Sequence, residues 1–198
     1  MTLDQYRHHV KVYFDPLVSV ALRCGVTPNF FTLAALIASA AAGIFFFFRM
    51  EFWAIIAVAL NAFCDAMDGA VARQMNIQSL RGDFLDHAVD RYADIFIITG
   101  IFAGGMVPWQ IGVFALTGVL MASYLGTQAQ AVGVGRYYGG ILGRADRLVL
   151  IMAVGSIDLL YPAGIYGITW LGWLLVMFGI FGHFTAFQRF AYVWRKVE

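Results

Sequence analysis

The stretch Asn61-Ala62-Phe63-Cys64-Asp65-Ala66-Met67-Asp68-Gly69-Ala70-Val71-Ala72-Arg73 ends one apolar run, and Gly82-Asp83-Phe84-Leu85-Asp86-His87-Ala88-Val89-Asp90-Arg91-Tyr92-Ala93-Asp94 opens the next. On a helix, residues three, four and seven apart share a face. Asp65, Asp68, Gly69 and Ala72 therefore form one stripe, and its small residues leave room beside two carboxylates. Asp86 and Asp90 form a second stripe one turn apart, which Asp83 and Asp94 extend in both directions. Asp65 stands eight residues before Arg73, so it lies roughly 12 Å in from that helix end. The short connection predicts that the two helices are antiparallel neighbours whose four aspartates converge.

The rest of the chain says what surrounds these carboxylates. Of 198 residues, 61% are hydrophobic and 13% charged, against about 25% charged in a soluble domain. Mean hydropathy is +0.76. The apolar runs suit helices of about 20 residues, enough to cross a bilayer core. We expect an all-α membrane bundle, a single domain over 1–198, with six spans between about 30 and 194. The spans are predicted at about Phe30–Phe48, Trp53–Arg73, Asp83–Met106, Trp109–Val132, Asp146–Leu160 and Ile165–Trp194. Residues 1–25 are expected to form an amphipathic helix lying in the interface, because Leu3, Tyr6, Val10, Tyr13 and Leu17 recur at helical spacing between polar residues. No cleavable signal peptide is read at the start. Cys24 and Cys64 form no CxxC pair and are expected to be packed thiols.

Basic residues gather on one side: Arg7, Lys11 and Arg23; Arg73 and Arg81; Arg136, Arg144 and Arg147; Arg189, Arg195 and Lys196. The opposite side has only Arg49. This asymmetry predicts both termini in the cytoplasm and the carboxylates opening there, in the plasma membrane. A net charge of +1 gives no reason to expect nucleic acid.

An aspartate near a helix centre costs about 3 kcal/mol on insertion scales. Four would cost on the order of 10, comparable to the stability of a whole domain. They need cations, and all-oxygen ligation favours Mg²⁺, Mn²⁺ or Ca²⁺. Neutralisation by Arg73, Arg81 and Arg91, or by protons, is the alternative, and would suit a cation or proton transporter. An intramembrane prenyltransferase is a third reading, since Asn61, Asp65 and Asp68 partly echo its first aspartate motif.

Asp65-x2-Asp68-Gly69-x2-Ala72-Arg73-x8-Gly82-x3-Asp86-x3-Asp90 resembles the signature of the CDP-alcohol phosphotransferases (CDP-alcohol phosphatidyltransferases), in the branch similar to phosphatidylinositol-phosphate synthases. Eight fixed residues over 26 positions agree. The resemblance implies phospholipid biosynthesis: a CDP-linked lipid donates its phosphoalcohol group to a polar alcohol, and CMP leaves. It implies Asp65, Asp68 and Asp86 as ligands of a divalent metal pair, Mg²⁺ or Mn²⁺. Asp90 becomes the general base on the acceptor hydroxyl and also touches metal. Gly69, Ala72 and Gly82 let the nucleotide approach, and Arg73 lies near its phosphates. Two metals clamping the attacking and leaving oxygens fit such a displacement. A homodimer is also implied.

Thr27-Pro28-Asn29-Phe30-Phe31-Thr32 resembles the family's Pro-Asn-x-x-Thr element, which places Asn29 and Thr32 near the nucleotide or metals; it also makes a good helix start. On the acceptor side, Arg136, Arg144 and Arg147 fall within twelve residues. They suit a phosphate-bearing acceptor such as inositol phosphate or glycerol phosphate; they also suit anionic lipid headgroups. The synthases named above carry basic residues late in the fourth span, where this chain has Gly126 and Gln128. Serine, free inositol or another polar alcohol therefore stay open. Asp83 is expected to cap its helix, Asp94 to support the site or pair with Arg91, and His87 to act as a structural donor.

Overall fold

The computed structural model describes residues 7–77, 79–135 and 139–197, with side chains from residue 15 onward. Seven helices account for most of the described residues: α1 Arg7–Arg23, α2 Pro28–Phe47, α3 Glu51–Gln74, α4 Leu80–Ala103, α5 Trp109–Ala131, α6 Arg144–Leu160 and α7 Trp170–Trp194. Four of them, α2, α3, α5 and α7, are long and apolar enough to cross a membrane. α4 matches them in length with 24 residues, but it carries the charged run Arg81 to Asp94. α6 has 17 residues, slightly short of a full crossing.

Packing orders the last six helices as a closed ring: α3 against α2, α2 against α4, α4 against α5, α5 against α7, α7 against α6, and α6 back against α3. Their inner faces build one core, with Phe46, Val58, Ile97, Ile101, Leu171 and Phe178 almost fully buried. The expectation that α3 and α4 pack as direct neighbours is corrected here: α2 packs on both of them. The reason is the run of small residues on α2. Ala35, Ala38, Ser39, Ala42 and Gly43 are buried and let it wedge between its neighbours. The closest approach is backbone on backbone: a Cβ placed at Gly100 of α4 would fall on the Gly43 backbone, and one at Gly43 would meet the Phe96 carbonyl oxygen at 2.5 Å.

Two helix starts differ from their sequence readings. α4 begins at Leu80, and Ser79 caps it by accepting the Gly82 N–H at 3.1 Å; Asp83, read as the cap, lies inside the first turn instead. α7 begins at Trp170 rather than near Ile165. Ile165 and Ile168 exchange backbone hydrogen bonds around Tyr166-Gly167, both at positive φ, and this tight turn breaks the apolar run. The carboxylate of buried Asp158 then accepts the N–H groups of Trp170 and Leu171 at 2.7 and 2.8 Å.

From Arg7 to Arg23 the N-terminal segment is helical as expected. Of its predicted apolar stripe, the side chains of Leu3, Tyr6, Val10 and Tyr13 lie outside the described residues, and Leu17 is exposed. Val18 and Ala21 pack on Met67 and Val71 of α3, close to the aspartate end of that helix. Cys64 is buried and Cys24, expected to be packed, is exposed.

Candidate active site

The C-terminal half of α3, the first half of α4, the start of α2 and the start of α6 meet at one end of the ring. α2 starts at Pro28, whose fixed φ suits the first helical turn. One turn on, the Thr32 hydroxyl donates to Asp68 Oδ2 at 2.8 Å, both groups being buried. Asn61, fully buried on α3, donates its amide to the Ala35 carbonyl at 2.8 Å. These two contacts lock α2 to the site face of α3.

Asp65, Asp68 and Asp86 each offer a carboxylate oxygen, and the three oxygens lie within 4.8 Å of one another. That spacing lets a single hard cation bridge helices α3 and α4. Asp86, His87 and Asp90 form a second such group along α4. The His87 ring stands 3.6 Å from Asp86 and 3.7 Å from Asp83, without a hydrogen bond to either.

Arg144, the first residue of α6, reaches across to both stripes. Its Nη1 contacts Asp65 Oδ1 and stands 2.5 Å from Asp90 Oδ1. Its Nη2 points to Asn61 Oδ1 at 3.5 Å. Arg91 Nη2 lies 3.4 Å from the other Asp90 oxygen. One turn deeper, Asp94 accepts a hydrogen bond from Arg147 at 2.6 Å, so its partner is Arg147 rather than Arg91.

The remaining predicted residues divide by position. Gly69 and Ala72 face the same region half-buried, and a Cβ at Gly69 would stand 3.1 Å from an Arg73 guanidinium nitrogen. Arg73 and Asn29 are exposed, and Gly82 sits in the first turn of α4. Arg136 lies outside the described residues. Gly126 is buried and Gln128 exposed on the last turn and a half of α5. Asn61 was legible in the sequence only as part of the prenyltransferase echo; an amide four residues before Asp65 was the signal for its place at the site. The loop leading to α6 is tied down by Arg189, which donates to the carbonyls of Gly139 at 2.8 Å and Ala122 at 2.5 Å. From its place in the sequence Arg189 is expected only on the basic side of the membrane.

Residues 25–181 match the family model described as CDP-alcohol phosphatidyltransferase. The chain belongs to this family. It is therefore a transferase of phospholipid biosynthesis that moves a phosphoalcohol group from a CDP-linked lipid to an alcohol. The prenyltransferase and transporter readings gain no support.

Among curated relatives, the archaetidylinositol phosphate synthase of Methanothermobacter thermautotrophicus is 32% identical over 99% of this chain and 96% of its own length. That of Pyrococcus horikoshii is 33% identical over 87% and 91%. The phosphatidylinositol phosphate synthase of Streptomyces avermitilis is 32% identical over 77% of this chain and 66% of its own. The fold is also that of the phosphatidylinositol phosphate synthase of Mycobacterium tuberculosis. Its CDP-DAG-bound crystal structure superposes with a TM-score of 0.77 at 24% identity, over 90% of this chain and 92% of that one. Its manganese and citrate complex gives 0.76 at the same identity, over 90% and 88%.

Proposed function

We propose that this CDP-alcohol phosphatidyltransferase passes the phosphoalcohol unit of its CDP-linked lipid to inositol phosphate, with Asp65, Asp68, Asp86 and Asp90 as the reacting centre. The observation that carries the reacting centre is the convergence of three carboxylates within 4.8 Å, with Asp90 and Arg144 beside them. The group fits a divalent ion. Four carboxylates paired with two guanidiniums, Arg91 and Arg144, leave two negative charges at the centre. Oxygen-only ligands suit a hard divalent ion, and Mg²⁺ or Mn²⁺ is the one proposed. Asp65, Asp68 and Asp86 would hold one ion, and Asp86 with Asp90 would reach a second. Bound there, such ions supply neutralisation of charge on the phosphoryl oxygens and on the CMP leaving group.

The chain's own residues do the rest. Thr32 fixes the orientation of Asp68 through its hydroxyl. Asp90, held from both sides by Arg144 and Arg91, accepts the proton of the acceptor hydroxyl as it attacks phosphorus. Gly69 and Ala72 leave space for the nucleotide along α3, with Gly82, Asn29 and Arg73 at its margin. Arg144, which bridges Asp65 and Asp90, is the described cation beside the acceptor's phosphate; Arg136, outside the described residues, keeps the acceptor role its sequence position suggests.

The same reading places α4 and α6 in the bilayer with the four longer apolar helices, giving six spans in one domain, and α1 in the interface. Polar interiors of this kind are tolerated where they line a site rather than face lipid. Arg73, Arg81, Arg144, Arg147, Arg189, Arg195 and Lys196 would mark the cytoplasmic side, with both termini there. The enzyme is expected to work as a homodimer in the plasma membrane.

The acceptor assignment rests on the relatives' names. It is tested with purified protein, Mg²⁺ and a CDP-linked lipid, diacyl in one series and ether-linked in another. Inositol phosphate, glycerol phosphate, serine and free inositol are the acceptors, and CMP release is the readout. Release with inositol phosphate alone is expected. Release with glycerol phosphate or serine instead would reassign the acceptor.

A further inference from the structure

Two arginine–aspartate pairs, Arg144–Asp90 and Arg147–Asp94, join α6 to α4. These helices do not share a packed backbone seam: α4 lies against α2 and α5 and touches α7, and α6 lies against α3 and α7. The two pairs therefore reach across the inside of the ring. Asp90 and Asp94 are one turn apart on α4, and Arg144 and Arg147 one turn apart on α6. The outer pair belongs to the reacting centre. The inner pair is dry, with side chains 7% and 5% exposed.

The surroundings of Arg147 argue against direct contact with substrate. It shares a cavity of about 10 Å³ with Val119, Ala122, Leu142, Phe178 and Thr185. That is room for one water at most, and not for a phosphate. A buried ion pair has little net stabilising effect, because desolvation offsets the attraction. What it does impose is geometry: a hydrogen bond of 2.6 Å between two side chains packed on all sides.

We propose that Arg147 and Asp94 are a positioning pair, which fixes the start of α6 against α4 and so holds the Arg144 guanidinium between Asp65 and Asp90. Arg147 thereby leaves the set of acceptor contacts that its place in the basic loop suggested. Transferases that depend on aligned groups lose about 10²-fold from a 1 Å misplacement. The inference rests on the phosphoalcohol-transfer reading of the site.

The test measures CMP release by wild type, Asp94→Asn, Arg147→Met, Arg147→Lys and the apolar pair Asp94→Leu with Arg147→Met. Thermal melting in detergent establishes which variants are folded. Arg147→Met and Asp94→Asn should lower kcat by about 10- to 100-fold, with the acceptor KM within about twofold of wild type. Arg147→Lys, which keeps the ion pair, should recover most of the rate. The double variant should be no slower than Arg147→Met alone, because the two residues act as one unit. If Arg147→Met does not fold, Arg147→Lys, Asp94→Asn and the apolar pair carry the comparison. A raised acceptor KM at constant kcat in the Arg147 variants would make Arg147 a ligand and overturn the proposal. So would unchanged kinetics in folded variants, or losses that multiply in the double variant. Absence of CMP release by wild type with every donor and acceptor would overturn the functional reading itself, and this inference with it.

Discussion

In the proposed reaction Asp90 and Thr32 are the single side chains on which the chemistry turns. An amide at position 90 keeps the shape and one acceptor oxygen for Arg144 or Arg91, and it loses the charge and the second acceptor. Asp90→Asn should keep the fold and lower kcat by about 10²- to 10⁴-fold, the usual contribution of a general base. Near-normal CMP release by this variant would remove Asp90 from that role. Thr32 acts on Asp68, donating at 2.8 Å. Thr32→Val preserves the shape and removes the donor, leaving one oxygen of a buried carboxylate without its partner. Loss of a group that orients a ligand typically costs 10- to 100-fold in metal affinity. The Mg²⁺ concentration for half-maximal CMP release should rise by about that factor, and an unmoved Mg²⁺ dependence would detach Thr32 from the site.

The helices themselves depend on small residues more than on large ones. α2 stands between α3 and α4 because Gly43 meets Gly100 backbone to backbone. Close approach of this kind is what small residues permit inside membranes. Gly100→Ala would place a methyl on the Gly43 backbone, so the helices must separate. Overpacking of this sort costs about 1–3 kcal/mol, which should appear as a lower Tm in detergent. An unchanged Tm would mean that the pair can part without loss. This is also where sequence reading was weakest. The periodicity of Asp65, Asp68, Asp86 and Asp90 gave their faces, and the short connection brought their ends together. It did not reveal that a third helix fills the space between α3 and α4. The turn at Ile165–Ile168 escaped for a related reason, since an apolar run can end on a positive φ at Tyr166 as well as on a polar residue.

At the scale of the molecule, a closed ring of six helices gathers the aspartates of α3 and α4 with Arg91, Arg144 and Arg147 at one end, and leaves Arg49, Glu51 and Asp158 at the other. The charge left at the centre after Arg91 and Arg144 are counted predicts dependence on a divalent ion. Chelation with EDTA should abolish CMP release, and Mg²⁺ or Mn²⁺ should restore it. Full activity in EDTA would refute the metal assignment. The ring also predicts topology. Single cysteines placed near Met1 and Glu198 should both be labelled from the cytoplasmic side of sealed vesicles, and one at Gly164 from the other side. Labelling of the two termini from opposite faces would exclude six spans.

By itself the sequence determined the membrane character, the helical class, the family and the four aspartates. These follow from local patterns: apolar run length, the 3.6-residue period, and eight fixed positions within one short segment. The tertiary structure decided which cations meet which carboxylates. Arg144 is 79 residues from Asp65, and Arg147 is 53 residues from Asp94. No local spacing encodes such pairs. They exist because the ring brings the start of α6 across to α3 and α4, where a low dielectric makes an unpaired buried charge costly.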